Sequence, residues 1–117
     1  MTKVGLARRG FVVVMLMTVA LLPPGGASAQ QAAAVAIAVK GGRFVPSEIH
    51  APANQPLTIS VKNFDGAAIE FESVSLRVEK IVAPGAQGAV RVRPLAPGRY
   101  EFFDDFHQQT RGTLIVQ

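Results

Sequence analysis

The sequence predicts an all-β protein, a sandwich of seven or eight short strands behind an export signal. Three observations predict it: apolar and polar residues alternate with a period of two, turn residues punctuate the chain at short intervals, and no segment carries helical periodicity. An apolar run from Phe11 to Leu22, preceded by Lys3, Arg8 and Arg9 and followed by Pro23 to Ala29, has the three regions of a signal peptide with Ala27-x-Ala29 as its cleavage site. Twelve residues fall short of the roughly 20 that a membrane-spanning helix needs. The expected organisation is therefore a signal peptide at residues 1–29 and one periplasmic domain at residues 30–117. Arg8-Arg9-Gly10-Phe11 also fits a twin-arginine signal, and both export routes stay open.

Cleavage would take three of the twelve basic residues and none of the eight acidic ones, leaving a net charge of +1. No basic run interleaved with aromatics remains, which argues against nucleic-acid binding. An exported domain of 88 residues without cysteine has no disulfide staples, so a packed core, a metal or a partner must stabilise it.

The strands follow in order. Val35, Ile37 and Val39 alternate with alanines. Leu57, Ile59 and Val61 alternate with Thr58, Ser60 and Lys62, as in a sheet with one wet face. Val90 and Val92 alternate with Arg91 and Arg93. Further runs lie at Ile69 to Ser73, Leu76 to Ile81, Tyr100 to Phe106 and Thr113 to Val116. Gly41-Gly42, Pro52 to Pro56, Pro84-Gly85 and Pro97-Gly98 separate them. The alanine-rich stretch Gln30 to Ala34 reads as a loose lead-in.

The landmarks Phe44-Val45-Pro46, Asn63-Phe64-Asp65, Pro84-Gly85, Pro97-Gly98-Arg99-Tyr100 and Gly112 to Val116, in this order, resemble the cupredoxin family from Gly41 to Val116. The resemblance implies a Greek-key β-sandwich of cupredoxin type. It also implies a histidine a few residues after the asparagine, a cysteine four after the tyrosine, a second histidine three further on, and a methionine beyond. Those positions read Glu70, Asp104 and His107 with no methionine, since Met1, Met15 and Met17 all fall in the signal. Blue-copper chemistry is thereby excluded, because it depends on a His-His-Cys set. The remaining oxygen donors and one imidazole suit iron, manganese or Cu(II).

Glu70-Phe71-Glu72, Glu79-Lys80 and Phe102 to His107 resemble, more narrowly, cupredoxin-like proteins of bacterial ferrous-iron uptake. The resemblance implies a periplasmic metal-handling role beside two partners, an inner-membrane iron permease and a separate periplasmic metal-binding protein. Its implied cargo is iron or Cu(II), and its candidate metal ligands are Glu70, Glu72, Glu79, Asp104, Asp105 and His107. The implied role is to assist iron oxidation or its delivery to the permease; oxidation would need an electron relay, of which the sequence shows none, which favours a non-turnover partner over an oxidase.

The residues support part of this independently. Glu70 and Glu72 share one face of their strand, with Ile69, Phe71 and Ser73 on the other. A two-residue turn at Val74-Ser75 would set Glu70 opposite Glu79, a repulsive pair unless a cation lies between them. Val-Ser is a poor tight turn, and a longer loop would change that register. Tyr100, Phe102 and Asp104 share one parity, so an inward Asp104 needs a partner, and His107 is placed to supply it.

Plainer readings stand beside these. The glutamates also read as a solvated face paired with Arg77, Lys80 and Arg91, Asp104-Asp105 as a loop cap, and His107 as an ordinary loop histidine. His50 reads as a surface residue. Tyr100, Phe102, Phe103 and Phe106 read as core, with Phe106 alternatively part of a docking patch. The competing function is a metal-free interaction module on the same fold. Hydrolysis has no recognisable nucleophile beside the histidine.

Overall fold

The computed structural model describes residues 32–117, together with Gly5, Gly10, Val13 and residues 18–21. The Arg8-Arg9 pair, the cleavage site and Gln30-Gln31 lie outside the described residues, while the end of the expected loose lead-in, Ala33-Ala34, is already strand, paired with Leu57 and Thr58. Among the described residues no helix is long and apolar enough to cross a membrane.

Nine strands form two sheets: β1 (Ala33–Lys40), β2 (Arg43–Val45), β3 (Glu48–Ala51), β4 (Leu57–Asn63), β5 (Ile69–Ser73), β6 (Val78–Val82), β7 (Gln87–Val92), β8 (Gly98–Asp104) and β9 (His107–Val116). One sheet runs β2-β1-β4-β7 and the other β3-β9-β8-β5-β6. β1 lies parallel to β4 and β3 parallel to β9, while the other pairings are antiparallel. The strands beyond the expected count come from the segment after Gly41-Gly42. There the chain makes a hairpin of three residues against β1 and then crosses to the second sheet, pieces too short to leave a periodic signal.

The alternation predicted for β4 is realised throughout, with Leu57, Ile59, Val61 and Asn63 buried and the intervening residues half-buried. Between the sheets Phe44, Phe71 and Phe102 form an aromatic centre, the Phe44 ring standing edge-on to Phe102 at 5.0 Å and to Phe71 at 6.1 Å. Phe102 and Phe71 lie 5.1 Å apart. Such contacts contribute beyond simple burial by about 0.5–1.5 kcal/mol per pair. Of the aromatics expected in the core, only Phe102 is fully buried in β8. Tyr100 is half-buried and donates its hydroxyl to Ala96 O at 2.8 Å, and Phe106 is exposed. Phe103 faces outward under Arg111, because its parity is opposite to that of Phe102.

Two polar clamps fix the end of the sandwich where β1 turns into β2. Asp65 accepts the amides of Gly41 at 2.7 Å and Gly42 at 2.8 Å, both glycines having positive φ in a turn that demands it. Buried Asn63 donates its side-chain amide to Ala67 O at 2.8 Å and reaches the carbonyls of Val82 and Ala83, while its oxygen accepts Asp65 N at 3.0 Å. The β4–β5 loop is thereby tied to both neighbouring turns.

Candidate metal site and the hydrogen-bonded cleft

The six candidate ligands separate into two places. Glu70 and Glu72 project outward from β5 as parity required, with Ile69, Phe71 and Ser73 buried behind them. Glu79 joins them from β6, and one carboxylate oxygen from each of the three lies within 4.8 Å of the others. The expected register is corrected by two residues. The β5–β6 connection is a four-residue turn, Val74 to Arg77, so Glu72 faces Glu79 and Glu70 faces Ile81. Two features of the turn demand the extra length: Leu76 is buried in the core, and Arg77 takes a positive φ of 56°.

Asp105, at the β8–β9 turn, stands within electrostatic reach of Glu70 and Glu72. Its amide donates to Glu70 O at 2.9 Å, which fixes the turn against β5. The expected pairing with Arg77, Lys80 or Arg91 does not form. Among the described residues no lysine or arginine lies within ion-pair distance of any carboxylate, and both ion pairs present involve histidine.

Partial burial pushes the Glu70 carboxyl above the ordinary glutamate value of 4.5, with Glu79, Asp105 and Asp104 adding to the push and a hydrogen bond from Glu72 opposing it. Glu72 is raised in the same way, by partial burial first and then by Asp105, Glu70 and Glu79. A raised carboxyl means that the folded state binds protons more tightly than the unfolded chain. The cost of the cluster is thus fully present above the raised pKa and is relieved as the pH falls through it. The metal-free protein is expected to gain thermal stability on acidification from neutral pH into the range just above 4.5. Glu72→Gln should raise the midpoint at neutral pH and flatten that slope, as followed by thermal unfolding in chelator across pH.

Asp104 and His107 lie elsewhere. Asp104 is only 1% exposed, and it is the inward-facing aspartate that parity predicted. Its Oδ1 accepts the amides of Glu70 at 2.9 Å and Phe106 at 3.0 Å, and its Oδ2 lies 2.8 Å from His107 Nδ1. With Asp104 ionised the carboxylate can only accept, so the contact takes a proton on Nδ1 of the half-exposed His107 ring. One carboxylate thus ties together β5, the β8–β9 turn and the first residue of β9. His107 begins a strand rather than sitting in the expected loop. Asp104 is at once a loop cap and a buried carboxylate with a histidine partner.

Asp104 and His107 line a cleft of about 140 Å³ with Ile69, Asp65 and Thr110 among its walls. Glu70 does not reach it. The β5 residue in the cleft is Ile69, and the Thr110 hydroxyl is given to Gly42 O at 2.7 Å. Asp65 was legible in the sequence only as a loop landmark; the glycine pair it caps was the available signal. His50 is exposed and hydrogen-bonds Glu48 at 3.1 Å, as a surface residue should.

A family model for the cupredoxin-like domain matches residues 11–116. The chain belongs to the cupredoxin-like family. A relative of this cupredoxin-like chain, RP394 of Rickettsia prowazekii (strain Madrid E), is 41% identical over 83 residues, spanning 70% of this chain and 66%, just under two thirds, of that protein. Similar solved structures include the metal-binding domain of the Streptococcus pneumoniae D39 Cu(I)-exporting P-type ATPase CopA with Cu(I), at a TM-score of 0.62 and 17% identity over 72% of this chain and 84% of that one. A reduced amicyanin variant gives a TM-score of 0.60 at 13% identity, covering 72% and 82%. A heme-copper terminal oxidase gives 0.61 at 18% identity, covering 73% and 65%. At these identities the structural likenesses establish the fold alone.

A blue-copper centre needs a thiolate and two imidazoles. This cupredoxin-like cleft offers no thiolate and one imidazole, beside two carboxylates that are already engaged, Asp104 by three hydrogen bonds and Asp65 by the amides of Gly41 and Gly42. The donor set does not fit a blue-copper ion.

Proposed function

We propose that this cupredoxin-like protein is a periplasmic metal-handling component of ferrous-iron uptake, holding iron, or Cu(II) in its place, on the outer carboxylate face of the second sheet. The observation that carries the reading is the convergence of Glu70, Glu72 and Glu79 to within 4.8 Å, with no lysine or arginine paired to them among the described residues. Hard oxygen donors suit iron in either oxidation state, Fe(III) most strongly. Asp105 adds negative charge beside the three glutamates. An exposed site on a rigid sheet suits a cargo that must be handed on, here between a separate periplasmic metal-binding protein and an inner-membrane iron permease. Asp104 and His107, named with the others as candidates, act in this reading as the clasp that seats Asp105 beside Glu70.

Anaerobic calorimetric titration of the metal-free protein with Fe(II), and separately with Cu(II), tests the proposal. Saturable binding that weakens by about tenfold or more in Glu72→Gln, a loss of roughly 1.4 kcal/mol, is the expected result. Binding should also weaken as the pH falls, because protons compete for the same oxygens. Absence of binding by either ion would overturn it. One observation favours the alternative, a metal-free interaction module: the Asp104 carboxylate at the family's copper end is already engaged by two backbone amides and His107.

A further inference from the structure

We propose that the part of the same sheet face that begins at Phe103, the register partner of Glu72, is an anion site, in which Arg111, with Arg99 further along the groove, takes the carboxylate or phosphate head of a small molecule whose uncharged body lies along Phe103 and Val74. Outward-facing residues of β8 and β9 build a groove of about 470 Å³ lined by Val74, Ser75, Arg99, Glu101, Phe103 and Arg111. Phe103 and Arg111 are register partners, and the Arg111 guanidinium lies 5.2 Å from the centre of the Phe103 ring. Stacking of this kind fixes the plane of the guanidinium and leaves its N–H edge open.

The far wall is the β5–β6 turn, which Arg93 holds by donating to Leu76 O at 3.0 Å and Ser75 O at 3.1 Å. Arg93 is thereby used on backbone, whereas neither Arg99 nor Arg111 forms an ion pair with a carboxylate. Glu101 shares the groove with both but lies beyond ion-pair distance of either. A guanidinium in a concave surface that forms no ion pair matches the paired oxygens of a carboxylate or phosphate, and Arg111 is so placed, with Arg99 beyond Glu101 along the groove. The intervening glutamate repels a second negative charge at the groove centre. The favoured ligand is therefore a single oxyanion head on an apolar, preferably planar, body.

The groove uses none of the carboxylates of the metal proposal, so the test is made on the full chain in chelator and its outcome is separable from metal binding. Benzoate, inorganic phosphate and chloride are titrated while backbone amide and aromatic NMR signals are followed. Benzoate should shift Phe103, Arg111, Arg99 and Val74 saturably, with phosphate weaker and chloride inert. Arg111→Gln should weaken benzoate at least tenfold, and Arg111→Lys should weaken it too, since lysine keeps the charge but loses the fork. Glu101→Gln should tighten phosphate. An unchanged thermal midpoint in Arg111→Lys verifies that the fold is intact. Shifts that do not saturate, that chloride reproduces, or that survive Arg111→Gln would overturn the proposal.

Discussion

Replacing Gly112 with alanine is expected to destabilise the protein by about 3 kcal/mol, at the upper end of what overpacking a core costs. For a domain of this size that lowers the thermal midpoint by roughly 12–24 °C. Gly112 is the register partner of Phe102 across β8 and β9. A methyl group there would run into the Phe102 ring and come within 2.9 Å of Ser47 O. The ring cannot retreat, because it is fully buried against Phe44 and Phe71. The carbonyl cannot retreat easily either, since it accepts Thr113 N at 2.8 Å. Thermal unfolding of Gly112→Ala alone and combined with Phe102→Leu checks the mechanism. The smaller side chain should recover part of the loss, making the two changes non-additive as expected of residues in contact.

The second large effect belongs to Asp104. Removing its carboxylate in Asp104→Ala strands the amides of Glu70 and Phe106 and the Nδ1 proton of His107 at a site that is 1% exposed. The expected cost is about 3 kcal/mol or more, since each buried donor left unsatisfied costs about 1–3 kcal/mol. Asp104→Asn keeps one acceptor oxygen for the amides and should lose less, about 1–3 kcal/mol. Denaturant unfolding at neutral pH measures both. Equal losses in the two variants would mean that packing, rather than the hydrogen bonds, carries the effect.

These two residues show how unevenly the sequence disclosed the molecule. Strict alternation announced β4, β5 and β8, and it correctly sent Asp104 inward and Glu70 and Glu72 outward, because parity is a local property of a strand. Register is not local. The pairing of Glu72 with Glu79 depends on a four-residue turn whose length is set by Leu76 reaching the core, which nothing near Val74-Ser75 reveals. β2 and β3 were hidden for a related reason: seven residues in two pieces carry too few alternations to be read. The division of the six candidate ligands between a face and a cleft likewise follows from the packing of β8 against β5, a contact between residues more than thirty positions apart.

Family membership by itself would direct attention to the cleft at Asp104 and His107, whereas the chemistry of the donors directs it to the sheet face. The two places can be distinguished by a paramagnetic ion. Titration of the metal-free protein with Mn(II), a hard cation of the same preference as iron, should broaden the amide signals of Glu70, Glu72, Glu79 and Asp105 first, at substoichiometric ion, and leave Gly42 and Thr110 sharp. Broadening that begins instead at Gly42, His107 and Thr110, or that appears nowhere before gross excess, would contradict the carboxylate face as the metal site.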